Sequence, residues 1–261
     1  MPDSASPCAP LHSNTCTTNS WAGTCACCTT KSHGCYGYGY RSRDPTPTNT
    51  WTVRSWCSAR HAGPGDSFLL INALVNWYAR EPRIVLTERM QWDPALDVVL
   101  NRLPNRFIPG GGGAQLEHRI SELATALDHN DAFVIFPEGG NFTERRRLAG
   151  IARLRGRGLH DMARRSETMR HVLAPRPGGV TAALAAAPDA DVVWVTHAGL
   201  DHLYTAGDIW RELPLRKPVQ MRWWRVPATD VPRDETTQIE WLYQWWQRID
   251  DWIDTTRRPT A

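Results

Sequence analysis

Residues 132–139 read Ala-Phe-Val-Ile-Phe-Pro-Glu-Gly and join a strand to a turn. The apolar run is continuous, as is typical of a strand buried on both faces of a parallel sheet. Pro137 ends the strand and Gly139 permits close backbone approach. Ligands of open α/β sheets bind beyond the carboxyl ends of strands, so Glu138 stands where a site is expected. The alternative is a turn with a solvated glutamate.

Outward from this stretch, helical and strand patterns alternate. Further strands are predicted at 83–87, 191–196 and 219–226, and helices at 67–80, 93–103, 115–129, 146–155, 161–173, 179–187 and 235–255. Strands separated by helices predict an α/β fold with a mostly parallel sheet and helices on both faces.

A second motif, His61-Ala-Gly-Pro-Gly-Asp66, precedes the first predicted helix. Its Gly-Pro-Gly segment can turn tightly enough to bring the carboxylate of Asp66 onto the imidazole of His61. A carboxylate that accepts from one ring nitrogen fixes the tautomer and supports a proton on the other nitrogen. This pairing is typical of a general base that activates a hydroxyl group. The alternative is that Asp66 only caps the helix and His61 is a loop residue.

Together, the two motifs favour the functional interpretation of each over its structural alternative. An H-x4-D motif followed 70 residues later by Phe136-Pro-Glu-Gly139 resembles the glycerolipid acyltransferase family. The segments 171–179 and 191–196 are similar to the parts of that family around its third and fourth sequence blocks. The resemblance covers roughly residues 58–226. It implies an α/β acyltransferase domain with His61 as general base and Asp66 as its partner.

The resemblance also implies the substrates. The donor would be acyl-CoA or acyl carrier protein, and the acceptor a lysophospholipid or related glycerolipid, with no metal or organic cofactor. Glu138 and Gly139 would help to bind the acceptor. A non-catalytic lipid-binding module of the same fold is the alternative function, and a metal-site protein built on the N-terminal cysteines is a more distant one.

The chain departs from the family pattern after Gly139. The family continues with Thr-Arg, whereas Gly140-Asn141 follow here. Arg145, Arg146 or Arg147 would then compensate from the next turn, and Arg106 is the candidate for the phosphate-binding arginine of the second block. The four glycines at 110–113 lack the Gly-Lys-Ser/Thr ending of a nucleotide-binding loop and are interpreted as a flexible connection.

Residues 1–57 differ from the rest, because they hold all seven cysteines and almost no Leu, Ile or Val. We expect a disordered or non-homologous leader there and the acyltransferase domain at 58–261. Cys25-Ala-Cys-Cys28 lacks the paired spacing of common zinc sites, and no secretion signal supports disulfides. Translation of this leader in a wrong reading frame is a further hypothesis.

The net charge and the hydropathy of the chain limit the classes of partner that it is expected to bind. The net charge of +3 is too small to indicate nucleic-acid binding by itself, but nine arginines lie between Arg145 and Arg170. They form either a solvated helical face or an anion-facing surface. No signal peptide or membrane span is evident, so we expect a cytoplasmic protein that is peripheral on the inner face of the membrane. The tryptophan-rich stretch 235–255 either packs on the sheet or lies in a membrane interface.

Overall fold

The computed structural model describes residues 40–42, 54–76, 78–87, 106–108, 113–200, 211 and 219–257. Their strands form one sheet in the order β1-β7-β6-β2-β5-β3-β4, and every neighbouring pair is parallel except β6 and β7. The strands are β1 (Tyr40–Ser42), β2 (Ser55–Ala59), β3 (Glu81–Thr87), β4 (Arg106–Ile108), β5 (Asp131–Ile135), β6 (Asp191–Ala198) and β7 (Val219–Val226). The predicted α/β class with a mostly parallel sheet is confirmed.

Six helices accompany these strands in the described part of the chain. They are α1 (Pro64–Asn76), α2 (Ala114–Thr125), α3 (Glu144–Gly156), α4 (His160–Thr168), α5 (Pro177–Ala186) and α6 (Glu235–Arg257). The predicted helix at 93–103 lies outside the described residues. Helix α4 ends five residues before its predicted end at 173, because Met169 is extended and buried in the core.

The sheet separates two hydrophobic cores, as the alternation along β6 requires. Val192 and Trp194 face the core that holds apolar residues of α2, α5 and α6. Val193 and Val195 face the opposite core, which α1 covers. Helices therefore lie on both faces, as predicted.

Strand β2 was not among the predicted strands, because Ser-Trp-Cys-Ser-Ala holds none of the aliphatic residues that mark a core strand. It lies between β6 and β5, and its Trp56 and Cys57 are 0% exposed. The expected boundary between residues 57 and 58 falls inside this strand, so the domain begins at least as early as Ser55. Strand β1 also lies inside the predicted leader and pairs with β7. For the residues of the leader outside these two strands, disorder stays a prediction.

Helix α6 packs its apolar stripe on the sheet. Leu242, Trp246 and Ile249 are fully buried, and indoles from this helix surround Trp194 of β6. This packing agrees with the core interpretation of the tryptophan-rich stretch. Among the described helices, none combines the length and the apolar character that crossing a membrane requires.

Candidate active site

The two sequence motifs meet at one edge of the sheet. Strands β2 and β5 are parallel neighbours, with Ser58 opposite Ile135, so the residues that follow them emerge side by side. His61 follows β2 and Phe136 follows β5, and their ring centroids are 4.7 Å apart. The backbone N–H of Phe142 also donates to the His61 carbonyl at 2.9 Å. The carboxyl edge of the sheet thus forms the site, as expected for this architecture.

His61 and Asp66 are hydrogen-bonded to each other. The distance between His61 Nδ1 and Asp66 Oδ1 is 3.0 Å. Helix α1 begins at Pro64, so Asp66 lies in its first turn, and its Oδ2 accepts from the backbone N–H groups of Ala62 and Gly63 at 2.5 and 3.0 Å. The carboxylate therefore folds back onto the loop before it as well as onto the imidazole, which a simple cap does not require.

This geometry fixes the chemistry available to the imidazole. When Nδ1–H donates to the carboxylate, Nε2 carries the lone pair and can accept a proton. The His61 side chain keeps 19% of its surface exposed, whereas the Asp66 side chain keeps 2%. The ring is therefore reachable from solvent while its partner is sealed beneath it.

Asp66 is held as a carboxylate. Burial alone would raise its pKa, but the hydrogen bonds from His197 and His61 outweigh this and hold the pKa of Asp66 far below its usual range. Five donors converge on its two oxygens, from His61, Ala62, Gly63, Ser67 and His197. An ionised carboxylate accepts about four hydrogen bonds, so its acceptor capacity is fully used.

Sequence reasoning missed two groups behind this pair. His197, on β6, places Nε2 3.2 Å from Asp66 Oδ2. Arg60 is 1% exposed and donates to the carbonyl oxygens of His171 and His197. The adjacency of Arg60 to His61 was the only sequence signal for the arginine. His197 lies 131 positions after Asp66, and no signal in the sequence pointed to it.

Glu138 is buried beneath the site and is not a solvated turn residue. It is 2% exposed, and neither of its carboxylate oxygens has a hydrogen-bond partner among the described residues. Burial raises the pKa of Glu138 well above its usual range, although the charge of Arg60 acts in the opposite direction. Contacts with the backbone N–H groups of His61 and Leu173 also act to lower this pKa, but they lack the geometry of hydrogen bonds, so the carboxyl group is buried without a well-formed partner behind the His61–Asp66 pair.

Gly139 takes a left-handed conformation, with φ of 65°. A Cβ atom at this position would lie 2.9 Å from the guanidinium carbon of Arg176. The backbone N–H of Arg176 donates to the Pro137 carbonyl, which ties this arginine to the turn. Glycine is favoured here by its conformation, and any side chain would displace the guanidinium of Arg176. Arg176 is a third group that sequence reasoning did not single out.

The predicted arginines have different surroundings. Arg145 and Arg146 are exposed in the first turn of α3, and Arg146 Nη1 donates to the Asn141 carbonyl at 3.0 Å. This contact places Arg146 beside the Gly140-Asn141 departure. Arg106 begins β4, and only its backbone belongs to the described part of the chain.

The arginine-rich stretch divides into two groups. Four of its members pair with carboxylates, as expected for a solvated helical face: Arg147, Arg155, Arg164 and Arg165. Arg145, Arg153 and Arg157 have no carboxylate partner among the described residues. Partial burial and the charges of Arg153 and Arg157 lower the pKa of Arg176, whose guanidinium lies against Gly139.

Cys57, the cysteine among the described residues, is not suited to act as a nucleophile. Burial raises the pKa of the Cys57 thiol to about 12, although the nearby charge of Arg80 opposes this. The reactive form of a cysteine is the thiolate, so Cys57 is inert at neutral pH. Within the described ranges, no three His, Cys, Asp or Glu side chains are grouped so that they would hold a metal ion.

Comparison with known proteins shows the family of the chain. Residues 54–197 match the family model described as Acyltransferase, and this match covers more than half of the chain. It begins one residue before β2 and ends at His197, so it includes both motifs. No curated protein sequence matches the chain.

Proposed function

Since the chain belongs to the acyltransferase family, we propose that it moves an acyl group from a thioester donor to a hydroxyl group of a lysophospholipid or related glycerolipid. The donor is acyl-CoA or acyl carrier protein. The observation that carries the proposal is the hydrogen bond between His61 Nδ1 and a buried, ionised Asp66, which leaves the lone pair on Nε2 to accept a proton.

In the proposed reaction, His61 Nε2 removes the proton of the acceptor hydroxyl as its oxygen attacks the thioester carbonyl. The C–O bond forms, and the tetrahedral intermediate collapses with cleavage of the C–S bond. The imidazolium of His61 returns the proton to the departing thiolate. Asp66 orients the ring and stabilises its positive charge between these two steps.

The same reaction needs a place for the acceptor head group. We propose that Glu138 and Gly139 form the inner wall of this subsite. Arg176, Arg146 and Arg145 supply positive charge in the place of the missing Thr-Arg, with Arg106 as a further candidate. Arginine suits a phosphate group because its guanidinium donates two parallel hydrogen bonds. Arg145 and Arg176 have no carboxylate partner in the part of the chain that the structure describes, which supports this assignment.

Thiol release from acyl-CoA by the full chain tests the reaction. Lysophosphatidic acid is added or withheld, and acyl carrier protein is tried as an alternative donor. Release should depend on the acceptor and should fall about 10²–10⁴-fold in His61→Ala. His160→Ala serves as the matched control, because His160 is exposed at the start of α4. Equal turnover in both variants would remove His61 from the mechanism.

The acceptor subsite has a separate test. Arg176→Gln should raise KM for lysophosphatidic acid about 10-fold or more, as expected for the loss of a charge-assisted hydrogen bond. The KM for an uncharged monoacylglycerol should stay unchanged. Arg164→Gln is the control, since Arg164 is exposed and paired with Asp161. An equal rise with both acceptors would contradict a phosphate contact.

We also propose that the chain works as a peripheral protein on the inner face of the membrane. Leu148 is 53% exposed on α3, between Arg145 and Arg153, and this combination of apolar and cationic groups suits an anionic lipid surface. Sedimentation with vesicles of phosphatidylglycerol should remove the protein from solution, and neutral vesicles should not. Vesicle binding without thiol release would favour the non-catalytic lipid-binding module.

A further inference from the structure

His197 lies on the face of β6 that is directed at α1. Residues 193, 195 and 197 alternate toward this face, and His197 is 4% exposed. Its Nε2 lies 3.2 Å from Asp66 Oδ2, while His61 Nδ1 contacts the other oxygen, Oδ1. The Asp66 carboxylate is therefore bridged between two imidazole rings, one on each oxygen.

The other donors to Asp66 come from its own neighbourhood in the chain. Ala62, Gly63 and Ser67 belong to the turn and the first residues of α1, and they move together with Asp66. Among the described residues, His197 makes the hydrogen bond that ties this carboxylate to another element. It comes from the sheet, whose strand β6 is buried along its whole length.

The other ring nitrogen of His197 indicates its protonation state. Nδ1 is buried and has no hydrogen-bond partner among the described residues. A charged ring would bury a second N–H without an acceptor, which is costly. A neutral ring with its proton on Nε2 satisfies the contact to Asp66 and leaves Nδ1 as an unpaired acceptor. His197 is thus a neutral donor, and an amide N–H of similar reach should replace it.

We infer that His197 is a positioning residue, which anchors Asp66 to the sheet and thereby fixes the orientation of His61. The expected effect on catalysis rests on the proposed function, whereas the contact between His197 and Asp66 does not. Arg60 takes part in the same arrangement, since its guanidinium donates to the His197 carbonyl at 3.2 Å. Glu138 is a further titratable side chain buried beside this group.

Three substitutions in the full chain separate the roles of His197. His197→Leu removes the donor, His197→Asn keeps an amide that is too short to reach Asp66, and His197→Gln places an amide N–H near the position of Nε2. Thr196→Val is the matched control, because Thr196 is equally buried on the same strand but faces the opposite core. Urea unfolding identifies the variants that fold. If His197→Leu does not fold, the comparison is made between His197→Gln and His197→Asn.

Kinetics give the first readout. Loss of a group that orients a functional histidine typically costs about 10–100-fold in activity. We expect kcat to fall by this factor in His197→Leu and His197→Asn, with KM for the acceptor unchanged, and to recover most of its value in His197→Gln. Wild-type kcat in the Leu or Asn variant, or a Gln variant as slow as the Asn variant, would overturn the inference.

Nuclear magnetic resonance gives a readout that needs no substrate. With ¹⁵N-labelled histidine, the Nδ1–H of His61 should show the downfield signal of an imidazole bonded to a carboxylate, and Asp66→Asn identifies it. This signal should shift or broaden in His197→Asn and stay in place in Thr196→Val. If the wild type transfers no acyl group to any acceptor, the proposed function fails, and the signal still decides the inference. An unmoved His61 signal in both the Leu and Asn variants would overturn it.

Discussion

At the scale of single residues, Asp66 couples the site to stability. Asp66→Asn removes the charge that five donors surround and should lower the free energy of unfolding at pH 7 by about 1.5–3 kcal/mol. The pKa of Asp66 is lower in the folded chain than its ordinary value of 3.8. Its stabilisation is therefore complete above that value and is lost as the pH falls below it. Urea unfolding at pH 7 and at about pH 3 measures the gap between wild type and variant, which should narrow at the lower pH.

The control for this substitution is Asp161→Asn. Asp161 is exposed and paired with Arg164 on the surface of α4, so its effect should be within about 0.5 kcal/mol at both values of pH. A gap for Asp66→Asn that stays equally large at the lower pH would contradict the assignment of an ionised, stabilising carboxylate.

The effect of Glu138 on the pH dependence of stability has the opposite sign. Its pKa is raised by burial above the ordinary value of 4.5, so the folded chain holds this proton more tightly than the unfolded chain. Wild-type stability should therefore decline relative to Glu138→Gln as the pH rises above the ordinary value, until the raised pKa is passed. Unfolding in urea at about pH 4 and about pH 8 tests this. A difference that moves in favour of the wild type at the higher pH would be incompatible with a carboxyl group destabilised by burial.

At the scale of elements, α6 supports the site from a distance. Asp250 is buried, and its carboxylate accepts from the backbone N–H groups of Arg170 and His171 at 2.6–3.0 Å. The His171 carbonyl in turn accepts two hydrogen bonds from Arg60. Helix α6 lies outside the family match. It thus fixes the segment at His171, and this segment holds Arg60, the residue before His61.

Asp250→Ala should consequently lower the free energy of unfolding by about 1.5–3 kcal/mol, because two buried N–H groups lose a charged acceptor. Asp251→Ala is the matched control one residue further along the helix. Asp251 faces solvent and contacts Gln247, so its loss should change stability by no more than about 0.5 kcal/mol. Comparable losses in both variants, measured by urea unfolding, would indicate a general effect on α6 instead.

The elements also show how far sequence reasoning reaches. Long periodic or continuous apolar segments such as β5, β6 and α6 were predicted close to their observed bounds, because burial of one stripe or of both faces dictates their pattern. Strand β2 was missed because Trp56 and Cys57 occupy core positions in a stretch with no aliphatic residue. Residues 61–66 were singled out because their spacing is local. His197 and Arg176 reach the site only through the order of the strands and a distant turn, which one sequence does not display.

At the scale of the whole molecule, the position of β2 sets where the chain can be shortened. A chain that starts at residue 54 loses only the three-residue edge strand β1 from the sheet, keeps the whole of β2 and should unfold in one cooperative transition. A chain that starts at residue 58 loses Trp56 and Cys57, which are both fully buried in the middle of the sheet. Removing two such core residues should lower the free energy of unfolding by several kcal/mol, which is about the whole stability of a typical domain. Urea unfolding of both chains distinguishes them, and a cooperative transition in the shorter one would contradict this view.

The tryptophans around β6 have an optical consequence. Trp194 lies 5.4 Å from Trp245 with the rings stacked at 16°, and within 6.2 Å of Trp56, Trp241 and Trp246. Indoles so close together exchange excitation energy and couple their electronic transitions. The native chain should therefore show an exciton couplet in circular dichroism and strongly depolarised tryptophan fluorescence. Because Trp241, Trp245 and Trp246 come from one helix, both signals report whether that helix is docked, and the protein carries its own spectroscopic label.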